Sequence, residues 1–400
     1  MRPPVGGGAV PAGRVSRRRT GCSIIAAVAA LAVGVVVGPG AAAPAATTTA
    51  TTVTPTDGSR VDTQGVVRIH AAATGGGTVF GNLTVTDPLA DGYATIFPCH
   101  DGPPTPLTSN INFVAGQTIA NSFITRADTD GDICVTPNAS AHVIVDLVSE
   151  SRLVDPHNTV RVLDTRQGDD AAPVEAGTPE RIHVARHGPL AVFGNLTVVG
   201  ADRAGYATLF PCDEGLPTPL TSNVNFGAGQ TIANGFVART DADGDLCVAP
   251  NATADVIVDL VAETAAISTH SARRSLDTRQ GQGAARIAGN GIVRVHASEF
   301  GGATVFGNLT ITDPFAAGFA TIFPCNDGLP SPLTSNINFV TGQTIANSFI
   351  TRADSAGDIC ITPSTIAHVI VDLVAESRVV APHNATRALD TRQVLPAAPR

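Results

Sequence analysis

Gly92-Tyr-Ala-Thr-Ile-Phe-Pro-Cys99, Gly205-Tyr-Ala-Thr-Leu-Phe-Pro-Cys212 and Gly318-Phe-Ala-Thr-Ile-Phe-Pro-Cys325 are one segment written three times in a 400-residue chain. The three cysteines lie 113 residues apart, and so do Cys134, Cys247 and Cys360. Between the cysteines, Leu107 to Asp128 recurs as Leu333 to Asp354 with one difference, Ala115 against Thr341. Self-similarity at a fixed period means that each copy is one structural unit. The chain length agrees, because single domains usually run about 100 to 150 residues.

The text of a copy alternates with period two. In Val79-Phe-Gly-Asn-Leu-Thr-Val-Thr86, Val79, Leu83 and Val85 fall on one face and Asn82, Thr84 and Thr86 on the other. That pattern predicts a half-buried strand. Further strands are predicted at Val66 to Ala71, Tyr93 to Cys99, Asn110 to Phe113, Thr118 to Arg126, Ile133 to Thr136 and His142 to Val148. Asp87-Pro88, Asp101-Gly-Pro-Pro104, Gly116 and Asp130-Gly131 separate them as turns. About seven short strands per copy predict an all-β chain of three tandem antiparallel β-sandwiches.

Residues 1–45 read as a signal peptide. Arg17, Arg18 and Arg19 precede an apolar run from Cys22 to Val37, then breakers and small residues near Ala43 to Ala46. Ser16 and the paired Arg leave general and twin-arginine export both open. The apolar run is short for a retained membrane span. A Thr-rich stretch, 46–57, reads as an exposed stalk. The leader holds five of the 25 basic residues and no acid, so its removal takes the net charge from −9 to −14. Every basic side chain is Arg. Such a chain repels phosphate backbones and anionic lipid, which excludes nucleic-acid binding through a basic patch.

In a secreted chain, paired cysteines predict a disulfide framework: Cys99–Cys134, Cys212–Cys247 and Cys325–Cys360. Each bridge would stabilise its copy by roughly 3 to 4 kcal/mol on the chain-entropy model. Leu-Asp-Thr-Arg at 163–166, 276–279 and 389–392 closes the copies. The expected division is 58–166, 180–279 and 291–392, with linkers at 167–179 and 280–290 and a tail at 393–400.

These segments resemble the Leu-Asp-Thr-Arg repeat domains of secreted and surface proteins from high-GC Gram-positive bacteria. The resemblance rests on Asn82-Leu-Thr-Val-Thr86, Thr108-Ser-Asn-Ile-Asn-Phe113, Gly116-Gln-Thr-Ile-Ala-Asn121, Val143-Ile-Val-Asp146 and the closing motif. It implies an accessory module of the kind often found beside hydrolytic domains, with no settled biochemical role. This chain departs from the pattern in placing polar residues after Val145-Asp-Leu-Val148, where relatives commonly carry Gly-Tyr.

Candidate chemistry is sparse. His70, His183 and His296 recur, as do His157, His270 and His383. Arg68, Arg181 and Arg294 share a strand face with the first set, which disfavours metal binding and favours structural roles. A Ser109, His70, Asp146 triad can be written, but Ser109 has no glycine elbow to expose it. Asp128-Thr-Asp-Gly-Asp132 and Asp241-Ala-Asp-Gly-Asp245 suggest a minor calcium reading through Asp128, Asp130, Asp132, Asp241, Asp243 and Asp245. A hairpin turn explains the same text, and the preferred expectation is no metal and no cofactor. Asp164 with Arg166, Asp277 with Arg279 and Asp390 with Arg392 lie two apart in extended chain and predict ion pairs on one side of it. The amides of Asn110, Asn112, Gln117 and Asn121 are expected to satisfy backbone groups. The leading functional expectation is a secreted or cell-surface, non-enzymatic, multivalent binding protein for an envelope or extracellular polysaccharide or a surface protein. A structural spacer or coat component is the alternative, and a secreted hydrolase the weakest.

Overall fold

The computed structural model describes residues 58–393, except 74, 105–107, 169–170, 219, 281–283 and 332, and the side chains of 155–158 and 381–384. The expected signal peptide and stalk lie outside the described residues. The first repeat forms β1 (Val67–His70), β2 (Thr78–Thr86), β3 (Gly92–Pro98), β4 (Ile111–Phe113), β5 (Thr118–Arg126), β6 (Asp132–Pro137), β7 (His142–Ser151) and β8 (Asp155–Asp164). The second repeat carries the same eight strands, among them β10 (Ala191–Val199), β13 (Thr231–Arg239), β15 (Asp255–Thr264) and β16 (Ser268–Asp277). In the third, β18 (Thr304–Thr312), β21 (Thr344–Arg352), β23 (His368–Ser377) and β24 (Ala381–Asp390) are their counterparts. The one helical element among the described residues is a single 3-10 turn, Cys99–Asp101.

Three tandem sandwiches are not what forms. The strands make six four-stranded sheets in a closed, propeller-like ring, and the closing strand of each repeat leaves its own copy. Each repeat keeps one sheet to itself, ordered β1-β6-β3-β4 in the first. Its second sheet is ordered β24-β7-β2-β5, so that β24, the last strand among the described residues, completes the first repeat. In turn β8 pairs with β15, and β16 with β23. Leu-Asp-Thr-Arg therefore ends a repeat in sequence and belongs to the next repeat in space. Reading it as the end of a self-contained domain is what led to the sandwich expectation, because β pairing partners are not encoded by alternation.

The apolar face of β2 holds the core of the repeat. Val79, Leu83 and Val85 are fully buried with Val67, Ile111, Ile133, Val135, Val143 and Val145. Gly81 lies at a register shift between β2 and β7, and a Cβ there would meet the Phe123 ring at 2.5 Å and the Asp146 carbonyl oxygen at 2.6 Å. Only glycine fits. Each disulfide joins cysteines 35 apart, as expected, with Cα–Cα 4.9–5.0 Å.

The opposite face of β2 is buried as well, and solvent does not cover it. Phe80, Phe193 and Phe306 meet edge to face in a triangle, with ring centroids 6.0 to 6.3 Å apart. Ile124, Val237 and Ile350 pack with them in a core drawn from all three repeats. Such aromatic pairs contribute about 0.5–1.5 kcal/mol each beyond buried area. Asn82, Asn195 and Asn308, on the polar side of the alternation, donate to Ser335, Ser109 and Ser222 carbonyls of a neighbouring repeat. Asn121, Asn234 and Asn347 accept from Gly235, Ser348 and Ser122 amides, each again in another repeat. Asn82-Leu-Thr84 has the Asn-x-Thr form of a glycosylation acceptor, but Asn82, 5% exposed, is engaged in an internal contact.

At the meeting of the three repeats, Ser122 and Ser348 share a hydroxyl–hydroxyl bond, and the third equivalent position is Gly235. A Cβ at Gly235 would stand 2.7 Å from the Ser122 carbonyl oxygen, 3.1 Å from its Oγ and 3.2 Å from Ser348 Oγ. Gly235→Ala is expected to destabilise the whole chain by roughly 1–3 kcal/mol in urea unfolding. Truncation after Val379, which removes β24, is expected to abolish the cooperative transition of the entire ring; survival of two folded repeats in calorimetry would contradict ring closure.

Candidate binding clefts at the repeat junctions

A β-strand joining a foreign sheet brings its own side chains into that sheet's environment. Arg161, on β8, reaches Asp259 of the second repeat with two parallel bonds, Nε to Oδ1 at 2.8 Å and Nη2 to Oδ2 at 3.0 Å. Its Nη1 donates to Asp164 Oδ2 at 3.3 Å, and Arg166 closes on the same Asp164 through Nε and Nη2, both at 2.8 Å. Charges thus alternate from Asp259 through Arg161 and Asp164 to Arg166 and sum to zero. Arg274 and Arg387 repeat the arrangement, reaching Asp372 and Asp146 of the neighbouring repeats and joining Asp277–Arg279 and Asp390–Arg392. Asp146, Asp259 and Asp372 are 1–2% exposed, so each needs its Arg.

The carboxyls respond in two directions. The side-chain bond from Arg166 holds Asp164 below its ordinary value, and Arg279 does the same for Asp277. At Asp390 burial pushes upward, but the bonds from Arg392 prevail and the carboxyl is lowered. Burial pushes Asp146 and Asp372 upward, only partly opposed by Arg387 and Arg274. Arg161, Arg274 and Arg387 were not among the residues expected to form a site. The signal was present, since each stands three residues before the motif Asp in every copy.

Where the closing strand crosses between repeats it roofs a cleft, and the three clefts occupy equivalent positions. The first is lined by Phe97, Pro98, Pro104, Arg126 and Thr159, with Val261 of the second repeat. The others substitute Ala272 with Val374, and Ala385 with Val148, for Thr159 with Val261. Their volumes are about 210, 310 and 150 Å³ in chain order. In the first two the lining includes an Arg ion-paired with an acid, Arg126 with Asp101 and Arg239 with Glu214; in the third the lining acid is Asp327, whose partner Arg352 follows the lining residue Thr351. All six groups are 22–36% exposed. The sequence reasoning missed these residues too, although an acid two places after the first Cys recurs in all three copies.

The other candidates are dispersed. Asp132 accepts from Arg68 Nη1 and bonds His70 Nδ1, both at 2.8 Å, and the Arg181–Asp245–His183 and Arg294–Asp358–His296 sets match it. Asp128 Oδ1 accepts the amides of Asp130 and Asp132, and Asp241 Oδ1 those of Asp243 and Asp245, as turn caps. Of the written triad, Asp146 bonds Arg387, His70 bonds Asp132, and Ser109 Oγ donates to Asn112. His270 is exposed, and the side chains of His157 and His383 lie outside the described residues.

No family model matches the chain, and no curated protein is similar to it. Two solved structures align over 80% of this chain and 85% of theirs: the triple jelly roll and turret assembly of an archaeal virus, and Sulfolobus Turreted Icosahedral Virus. Identity is 10% and 9%, with a TM-score of 0.20 for each, too low to carry fold or function across.

Arg161→Ala should cost roughly 3–5 kcal/mol in chemical unfolding, because it strands the buried Asp259 carboxylate. Arg166→Ala, which removes a side chain 41% exposed, should cost about 1 kcal/mol or less. Asp164 is lowered, so its contribution is complete above the ordinary 3.8 and is lost as pH falls through its lowered value. Asp164→Asn should therefore flatten the acid-side loss of stability; an unchanged slope between about pH 2 and 4 would show that the carboxylate is not ionised in this network. Asp146 and Asp372, being raised, act in the opposite sense, with stability lost as pH rises through their raised values.

Proposed function

We propose that this chain is a secreted, non-enzymatic, multivalent binding protein whose three junction clefts take equivalent units of an envelope or extracellular polysaccharide. The observation that carries the reading is the threefold recurrence of one cleft, each built by two repeats and each lined by a partly exposed, Arg-paired carboxylate beside proline and valine, with the Arg itself in the lining of the first two. A planar guanidinium and a carboxylate side by side supply donors and acceptors to hydroxyl-bearing units, while the apolar wall accepts a ring face. The three disulfides point to an oxidising, extracellular setting, and no described helix is long and apolar enough to cross a membrane. The acidic balance after leader removal favours an uncharged polymer or a cation over a polyanion.

Because the repeats share strands, the sites are held at fixed separations and not on flexible tethers. Each additional engaged site then multiplies retention without paying again for orientation. The test uses the intact chain. Thr159→Trp, Ala272→Trp and Ala385→Trp fill the clefts one at a time from positions at least partly exposed on the crossing strand. Retention on isolated envelopes and on extracellular polymer should fall roughly tenfold or more per filled cleft and vanish when all three are filled. Unchanged retention in the triple variant would overturn the cleft assignment, and negligible retention of the unmodified chain would leave the spacer reading ahead.

A further inference from the structure

The first repeat differs from the other two beside its disulfide. His100, next to Cys99, corresponds to Asp213 and Asn326, and Asp130 corresponds to Asp243 and Ala356. In the first repeat alone among the described residues, an imidazole and two carboxylates offer ligand atoms within 4.8 Å of one another: His100, Asp128 and Asp130. His100 Nε2 stands 3.2 Å from Asp130 Oδ2 and 3.8 Å from Asp128 Oδ2. Donor atoms on a tetrahedral zinc, each about 2.0–2.1 Å from the ion, stand roughly 3.4 Å apart. The two imidazole–carboxylate separations are therefore already near the edge length of a zinc tetrahedron, and the whole set lies within 4.8 Å.

Two further observations point to a ligand. Asp128 is 1% exposed and its Oδ2 has no hydrogen-bond partner, although Oδ1 is capped by two backbone amides. A buried carboxylate oxygen facing an imidazole at 3.8 Å is an unfilled acceptor directed into the cluster. The same orphan occurs at Asp354 in the third repeat, where Asn326 and Ala356 place neither imidazole nor second carboxylate against it, so the orphan alone does not make the site. Secondly, His100 Nδ1 bonds the Thr129 hydroxyl at 3.1 Å, which orients the ring with Nε2 toward the carboxylates, as an outer partner does for a metal-bound imidazole. Arg68 is the charge that opposes a cation here. Its Nη1 is 3.9 Å from Asp128 Oδ2, but it is drawn to Asp132 at 2.8 Å, where His70 also bonds.

We propose that the first repeat binds one divalent cation of the zinc class through His100 Nε2, Asp128 Oδ2 and Asp130 Oδ2, with solvent at the fourth position. The mixture of one imidazole and two carboxylates selects zinc over calcium, which takes six to eight oxygens. Half-exposed His100 and exposed Asp130 make the site open to solution.

The experiment is zinc titration of the full, disulfide-bonded chain without an affinity tag, read by calorimetry and by competition with a chromophoric chelator. The expected result is one zinc per chain, with calcium unable to displace it at equal concentration. His100→Asn and Asp130→Ala install the residues of the third repeat, which folds with them. Each should weaken zinc at least roughly tenfold while leaving the melting temperature of the metal-free chain unchanged. No zinc uptake by the unmodified chain would overturn the proposal and leave His100 as a surface contact of the two carboxylates. Uptake undiminished in both variants would place zinc elsewhere and overturn it equally.

Discussion

An Arg carried by one repeat neutralises an Asp buried in the next, three times around the molecule, and the ring depends on that exchange. Asp146, Asp259 and Asp372 sit on the strands that receive a foreign neighbour, at 1–2% exposure. An ionised carboxylate in such a place is prohibitive without a partner. The partner arrives only when β24, β8 or β16 docks, because Arg387, Arg161 and Arg274 are on those strands. A repeat folded alone would expose an open sheet edge and retain an unpaired buried acid. Exchange pairs the β7 edge and supplies the partner of the acid together, with the exchanged strand taking the edge position.

The second constraint is the filled axis. Three Phe rings and the Asn amides of two strands per repeat leave no room for solvent on the polar side of β2. Identical text in three copies suits threefold packing, but an axis where three identical residues meet cannot always be filled by identical side chains. Ser122, Gly235 and Ser348 show the compromise: two hydroxyls bond each other, and the third position gives up its side chain. The break in repetition at Gly235 is thus explained by crowding.

Much of the local structure was legible. The predicted strands from Val66 to Val148 coincide with β1 to β7 within a few residues, and the three disulfides join the cysteines that equal spacing paired. Alternation predicts faces, and the apolar face of β2 is where it should be. What alternation does not carry is the identity of the neighbour. Asn82, Thr84 and Thr86 look like a solvent face, yet all are buried: Asn82 donates to a carbonyl of another repeat and Thr86 bonds the Thr118 hydroxyl of its own, as water would. Asp155 to Asp164 carried no strand expectation beyond the extended motif at its end, and Arg161 was hidden behind the more conspicuous Leu-Asp-Thr-Arg that follows it. The clefts were illegible for the same reason, since each takes its wall from a repeat about a hundred residues away.

Strand exchange also changes what repetition can accomplish. Copies on flexible linkers would share a ligand through a diffuse effective concentration, which falls as the linkers lengthen. Here the residues that follow Arg166 and Arg279 lead from one sheet to the next within a ring already fixed by β8 and β16, so their composition has little influence on where the clefts stand. A rigid triangle of sites engages simultaneously only when the spacing of the ligand matches it. A polymer with a regular period or a crystalline envelope surface satisfies that condition, whereas an isolated oligomer occupies one site at a time. On the proposed binding reading, selectivity would come from the geometry of the partner more than from the chemistry of any single cleft, which suits clefts of such modest polar content.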